Sequence, residues 1–236
     1  MSVDKAHLED QVGDILSTSW DVTDTKLVPE SSDVVLANGA KKLTAAFLYA
    51  DLAGSSRLAQ VCPWETTAKI IRAYLDASVR LIRAWGGHVR SFDGDRVMGV
   101  FVGDFPTTHA SYCAREIDYT VFHIIGPKAK ARFTSIEQNA VTIHHCVGID
   151  YGECRAVRAG IRNNNDIIWI GKPPSFAAKL SDIRNYPREV YISSRAYARL
   201  ADGAKIIDGK NIWTAADFNF ARATETIYLT TTMRTP

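Results

Sequence analysis

Long apolar runs, paired cysteines and blocks of one charge are all missing from this 236-residue sequence, and each absence removes a class of protein. The uncharged apolar runs are far too short to span a bilayer, so no membrane partner is expected. Residues 1–14 carry Asp4, Glu9, Asp10 and Asp14 and lack an apolar stretch, which speaks against a targeting peptide and makes the cytoplasm the expected location. No Cys-x-x-Cys occurs among Cys62, Cys113, Cys146 and Cys154, so free, mostly buried thiols are expected rather than a disulfide frame or a zinc knuckle. His144-His145-Cys146 does not change this, because neighbours on a strand point to opposite faces and cannot chelate together. Basic and acidic residues nearly cancel, at 28 against 26, and no basic tract appears; a dedicated nucleic-acid partner is not expected.

What is present is a core-forming composition, 46% hydrophobic and 23% charged, long enough for one α/β core plus an extension. Leu8, Val12, Ile15 and Leu16 recur at helical spacing and predict a short amphipathic helix over 4–18. Residues 19–40 are polar and irregular and read as a linker, or as an arm packing on a partner subunit. The chain therefore divides into an N-terminal helix and arm, 1–42, and a main domain, 43–236. There the pattern predicts a strand at 43–50, a helix at 55–84, a hairpin over 88–101 turning at Asp93-Gly94, and a helix at 106–124. Two strands over 141–158 turning at Tyr151-Gly152, a turn cluster at 163–165 and a strand at 166–170 follow. Pro173 and Pro174 open the next helix, and a strand at 189–192, a helix from Ser193 to Leu200 and strands over 205–230 complete the order.

Two apolar segments each deliver an aspartate: Phe47-Leu48-Tyr49-Ala50-Asp51 and Ser91-Phe92-Asp93-Gly94-Asp95. A carboxylate at the end of a buried strand is costly unless something compensates its desolvation, and a divalent cation shared by two acids does so. Asp51 and Asp95 thus read as a two-metal site. After Asp51 comes Ala53-Gly54-Ser55-Ser56 at a predicted helix start, where backbone amides bind phosphate, Gly54 allows close approach, and Ser55 or Ser56 can cap the helix. Taken alone, Asp93-Gly94-Asp95 is an ordinary hairpin turn; joined to the first block it points to a nucleotide.

Over about Leu43 to Leu200 these blocks resemble the class III nucleotidyl cyclases, which turn nucleoside triphosphates into cyclic 3′,5′-monophosphates. The carriers are Asp51, Gly54, Ser55 and Ser56, then Gly94-Asp95, then the strand-glycine-helix block from Asp166 to Leu180. The resemblance implies a ferredoxin-like α+β domain, an antiparallel-rich central sheet flanked by helices, with a short N-terminal helical arm. It also implies Mn²⁺ or Mg²⁺ ions on Asp51, Asp95 and the Leu52 carbonyl, and phosphates on the amides of Ala53 to Ser56. Where the family carries base readers, this chain has Ser91 and Ile168; where it carries Asn and Arg for ribose and phosphate, it has Ser175 and Lys179.

Neither Ser91 nor Ile168 can make the usual purine hydrogen bonds. Tyr49 shares a strand face with Asp51 and would narrow the pocket toward a pyrimidine, though it reads equally as a core aromatic. Ser175 and Lys179 read equally as an exposed helix face. The combination is similar to the pyrimidine cyclases of bacterial anti-phage defence, the Pycsar type, which implies UTP as substrate and cyclic UMP acting on a separate effector. CTP and a catalytically silent nucleotide sensor are the alternatives. In that family the metal acids and the Ser175/Lys179 set come from opposite subunits, which implies a homodimer with composite sites.

Overall fold

The computed structural model describes residues 4–187 and 189–236. An N-terminal helix α1 (Lys5–Ser17) and short strand β1 (Asp21–Asp24) precede the long strand β2 (Gly39–Ala53), helices α2 (Ser55–Val61) and α3 (Trp64–Ala84), and the hairpin β3 (His88–Asp93) and β4 (Arg96–Phe101). Helices α4 (Pro106–Thr120), α5 (Gly126–Arg132) and α6 (Thr134–Gln138) lead to β5 (His144–Ile161), β6 (Asn164–Ile170), α7 (Lys172–Ser181) and β7 (Val190–Ser193). Two short helices, α8 (Ser194–Ala198) and α9 (Asp202–Lys205), a two-residue pair β8 (Ile206–Ile207) and β9 (Lys210–Asn211), and the hairpin β10 (Thr214–Phe220) and β11 (Ala223–Thr230) end the chain. One mixed sheet runs β10-β11-β7-β5-β2-β4-β3, with β1 beside the start of β2 and β6 beside the end of β5. The β1–β2 and β5–β7 pairs are parallel, and β5 runs antiparallel to β2 along its length.

Strand alternation sorts β2 into two faces. Ala46, Leu48, Ala50 and Leu52 join one core with α3, which buries Ile70, Tyr74, Ser78 and Ile82 at four-residue spacing. Leu43, Ala45 and Phe47 face the other way, against Ala177 of α7, with Tyr49 at the edge of that cluster. Each fully buried large side chain, such as Phe47 or Ile70, contributes about 1.5–3 kcal/mol. All residues of α1 are exposed, its apolar stripe included, and among the described residues no helix is long and apolar enough to cross a membrane.

Four expectations are corrected. Residues 19–40 are not simply irregular: β1 pairs with β2, Ser31–Asp33 forms a 3₁₀ turn, and Val28 and Val34 are buried. The helix expected at 55–84 breaks at Cys62-Pro63, because the residue before proline is held extended and proline has no N–H to continue the ladder. The helix expected through 124 gives way after Thr120 to a π-helical turn (Val121–Ile125) that runs into α5. Most consequential, 141–158 is not a hairpin at Tyr151-Gly152. A continuous register from Ala53↔His144 to Ala40↔Val157 leaves no room for a turn, which falls instead at Arg162-Asn163, where Asn163 has φ 69°.

Helix α7 lies unusually close to β5. A Cβ at Gly148 would stand 2.1 Å from the Ala177 carbonyl oxygen and 2.5 Å from the Ser181 nitrogen, both backbone atoms that cannot give way. Gly148→Ala is therefore expected to push α7 off the sheet at a cost of about 1–3 kcal/mol, read as a lower urea midpoint; an unchanged midpoint would contradict this packing.

Candidate functional site

The C-terminal end of β2 places the first aspartate. Asp51 pairs with Arg96 on β4 and Cys146 on β5, so its backbone is fixed from both sides, and its side chain is only 13% exposed. Gly94, at φ 61°, makes the turn that carries Asp95, and the Leu52 N–H donates to the Asp95 carbonyl at 3.4 Å, pinning the hairpin tip to the end of β2. Burial pushes the Asp51 carboxyl up, and the Asp95 charge adds to that, while a hydrogen-bonded ion pair with Arg184 opposes it. Hard carboxylate and carbonyl oxygens from Asp51, Asp95 and Leu52 suit Mg²⁺ or Mn²⁺. Asp93 is committed elsewhere, to Arg96 at 2.8 Å.

Beyond Ala53 the chain turns at Gly54, whose φ of 74° favours glycine and whose missing Cβ leaves open space. Gly54 is the N-cap of α2 and no side chain caps the helix, so Ser55 and Ser56 occupy its first turn rather than the capping position expected of them. Ala53 and Gly54 line a pocket of about 170 Å³ together with Arg57, His144 and Tyr186, while Ser55 and Ser56 do not line it. Neither aspartate lines this pocket, which begins at Leu52, the residue after Asp51, and larger hollows of about 560 and 680 Å³ elsewhere touch neither aspartate either.

Tyr49 does share the face of Asp51, is half-buried, and carries the Arg96 guanidinium 5.6 Å above its ring. Ser91 sits on β3 opposite Met98, beside a register shift after Val89. Lys179 donates to Asp182 at 3.2 Å, and Asp182 meets Arg96 at 3.5 Å, so a chain of charges links α7 to the hairpin. Ser175 lies one turn earlier, donating to the Gly171 carbonyl at 3.2 Å. Ile168 is not brought to this end. It pairs with Val157, eleven residues along β5 from the Asp51 partner Cys146, about 36 Å at 3.3 Å per residue, and is 44% exposed.

The sequence reading missed Arg184 and a buried cluster on the opposite face of the sheet. His145 Nε2 lies 3.1 Å from both Asp118 and Glu189, and Glu189 also bonds His144 Nδ1 at 2.7 Å. Burial alone would lower His145, but bonds to Asp118 and Glu189 hold it up at about 9; burial raises Asp118, while the two histidines bring Glu189 down. Asp118, His145 and Glu189 have ligand atoms within 4.8 Å of one another, a donor set able to take a cation. His145, just before the apolar run Cys146 to Ile149, was the available signal. The cysteines are free and buried as expected; the Cys146 thiol donates to the Leu180 carbonyl and burial pushes it up.

No family model matches the chain. It is similar to the uridylate cyclase of Rhodovulum sp. (strain MB263), 38% identical over 224 residues covering 94% of this chain and 93% of that protein. It is equally similar to the uridylate cyclase of Burkholderia cepacia, 38% identical over 208 residues, 87% of this chain and 88% of the other. Among solved structures, the guanylyl cyclase Cya2 superposes with a TM-score of 0.66 at 14% identity, over 83% of this chain and 95% of that one, a likeness of fold.

The raised His145 group gives a signed pH dependence. Its folded value near 9 exceeds the unfolded value near 6.5, so its stabilisation is full below about 6.5 and lost as pH rises through 9. Urea unfolding at pH 6.5 and 9.5 is expected to show a loss on the order of 3 kcal/mol that His145→Gln removes; an equal loss in the variant would contradict the assignment.

Proposed function

The chain belongs to the uridylate cyclase family, and we propose that it converts UTP to cyclic 3′,5′-UMP and pyrophosphate at the end of β2. The observation that carries this is the largely covered Asp51 carboxyl backed by Asp95 beside the open turn at Gly54. In the reaction the ribose 3′-oxygen bonds to the α-phosphorus, the bond to the bridging oxygen breaks, pyrophosphate leaves and the hydroxyl proton is released. Asp51, Asp95 and the Leu52 carbonyl would hold two Mg²⁺ or Mn²⁺ ions, which lower the cost of forming the attacking oxyanion and of the charge on the triphosphate. Amides of Ala53, Gly54, Ser55 and Ser56 cradle the β- and γ-phosphates. Lys179 stabilises charge at the α-phosphate and Ser175 positions the ribose. Tyr49 and Ser91 border the base, and Tyr49 keeps the pocket small enough to favour a pyrimidine.

The sites are composite across a homodimer. Support comes from Ile168, exposed and about 36 Å along the sheet from the aspartates of its own chain, which can serve as a base-pocket residue only for a second copy. The enzyme works in the cytoplasm, and its product acts on a separate effector in anti-phage defence.

Purified protein with Mn²⁺ and each ribonucleoside triphosphate in turn is expected to form cyclic UMP from UTP alone. Cyclic CMP would move the base assignment to cytosine, and a bound but unchanged nucleotide would mean a silent sensor. Asp51→Asn or Asp95→Asn is expected to lower kcat roughly a hundredfold or more without unfolding the chain. Mixing Asp51→Ala with Lys179→Ala chains is expected to restore part of the activity, and no rescue would contradict shared sites.

A further inference from the structure

Two histidines at the start of β5 reach opposite faces of the sheet yet meet one carboxylate. Glu189 is buried and gives one oxygen to each: Oε1 lies 2.7 Å from His144 Nδ1 and Oε2 lies 3.1 Å from His145 Nε2. His145, itself fully buried, is fixed on its other side by Asp118 at 3.1 Å. His144 is thereby held at one nitrogen while its ring stacks on Tyr186, centroids 3.9 Å apart and planes 24° apart. Nε2 is left as its free nitrogen, and among the described residues no side chain or carbonyl bonds it.

That ring lines the pocket of about 170 Å³ beside Gly54, and its backbone is the register partner of Ala53. None of the residues around the pocket is acidic, and Arg57 brings a positive charge to it. At about 30 Å³ per water the space holds roughly five waters, or a phosphate group with part of its shell. An imidazole locked at one nitrogen by a carboxylate, on a residue that lines a pocket with Arg57 and no lining acid, is suited to meet an anion.

Resting on the reading of Ala53 to Ser56 as the phosphate cradle, we propose that His144 is a positioning residue for the terminal phosphates of the triphosphate, and so for the pyrophosphate that leaves. Glu189, anchored by His145 and Asp118, sets its orientation. The charged cluster under the sheet thereby fixes the angle of a ring on the far side.

The test uses inorganic pyrophosphate with Mg²⁺ as the probe, titrated calorimetrically into the wild-type protein, His144→Phe and His144→Gln. Phenylalanine keeps the ring stack on Tyr186 and removes the nitrogen; glutamine returns an N–H donor. His144→Phe is expected to weaken pyrophosphate about tenfold, equivalent to about 1.4 kcal/mol, and to raise the KM for UTP by a similar factor with kcat nearly unchanged. Inhibition by cyclic UMP, which has no terminal phosphates, is expected to stay the same, and His144→Gln to recover part of the loss. Equal pyrophosphate affinity in wild type and His144→Phe, no pyrophosphate binding to the wild type, or a parallel loss toward cyclic UMP would each overturn the proposal. Should the wild type make no cyclic UMP, the UTP reading fails, while the pyrophosphate titration still decides the role of His144.

Discussion

The negative charge at the end of β2 is the constraint on which the working end of this molecule depends. Asp51 cannot move, because β4 and β5 hold its backbone on both sides, and cannot reach water freely, because its side chain is largely covered. A carboxylate in such a place must be neutralised or lose its charge. Arg184 answers from the loop after α7, Arg96 contributes from the hairpin, and Asp95 works against both. The loop that carries Arg184 is positioned in turn by α7, and α7 by the contact at Gly148 that only glycine permits. A single unfavourable charge is thus connected, through packing, to the middle of the sheet.

The opposite face solves a second charge problem with different means. Asp118, His145 and Glu189 are buried together, and breaking such a cluster by removing one member typically costs about 3–5 kcal/mol, although its net worth against an apolar replacement is small. A cluster of that kind adds specificity of arrangement more than stability. Here it ties the loop at Glu189 to the strand at His145 and, through His144, to the turn at Gly54. Both faces of the sheet therefore converge on the same few residues after Leu52.

Much of this was legible before any coordinates. The shared strand face of Tyr49 and Asp51, the helical pattern over 55–84 and the turn chemistry of Gly54 and Gly94 are local signals, and they anticipated most of β2, the helical region of α2 and α3, and the two bends beside the aspartates. The illegible parts are set by partners distant in sequence. A glycine at 152 reads as a turn until β2 is known to pair straight across it, and β1 is too short and polar to announce itself without β2 beside it. Arg184 and Asp51 are 133 residues apart, and no pattern in either segment points to the other. Glu189 likewise acquires meaning only once Asp118 and both histidines surround it.

Arg184 is the counter-ion to Asp51 in the structure, and in the proposed reaction Asp51, Asp95 and the Leu52 carbonyl would hold the divalent cations, with Ile168 of a second copy proposed to reach the base. The central claim is that Asp51 and Asp95 are the cation ligands. It is tested most directly by titrating Mn²⁺ into the UTP-analogue complex and following free Mn²⁺ by electron paramagnetic resonance, in the wild type and in Asp51→Asn. The account predicts two Mn²⁺ ions per site in the wild type and at least a tenfold weaker affinity in the variant, about 1.4 kcal/mol or more. Identical stoichiometry and affinity in the two proteins would contradict it.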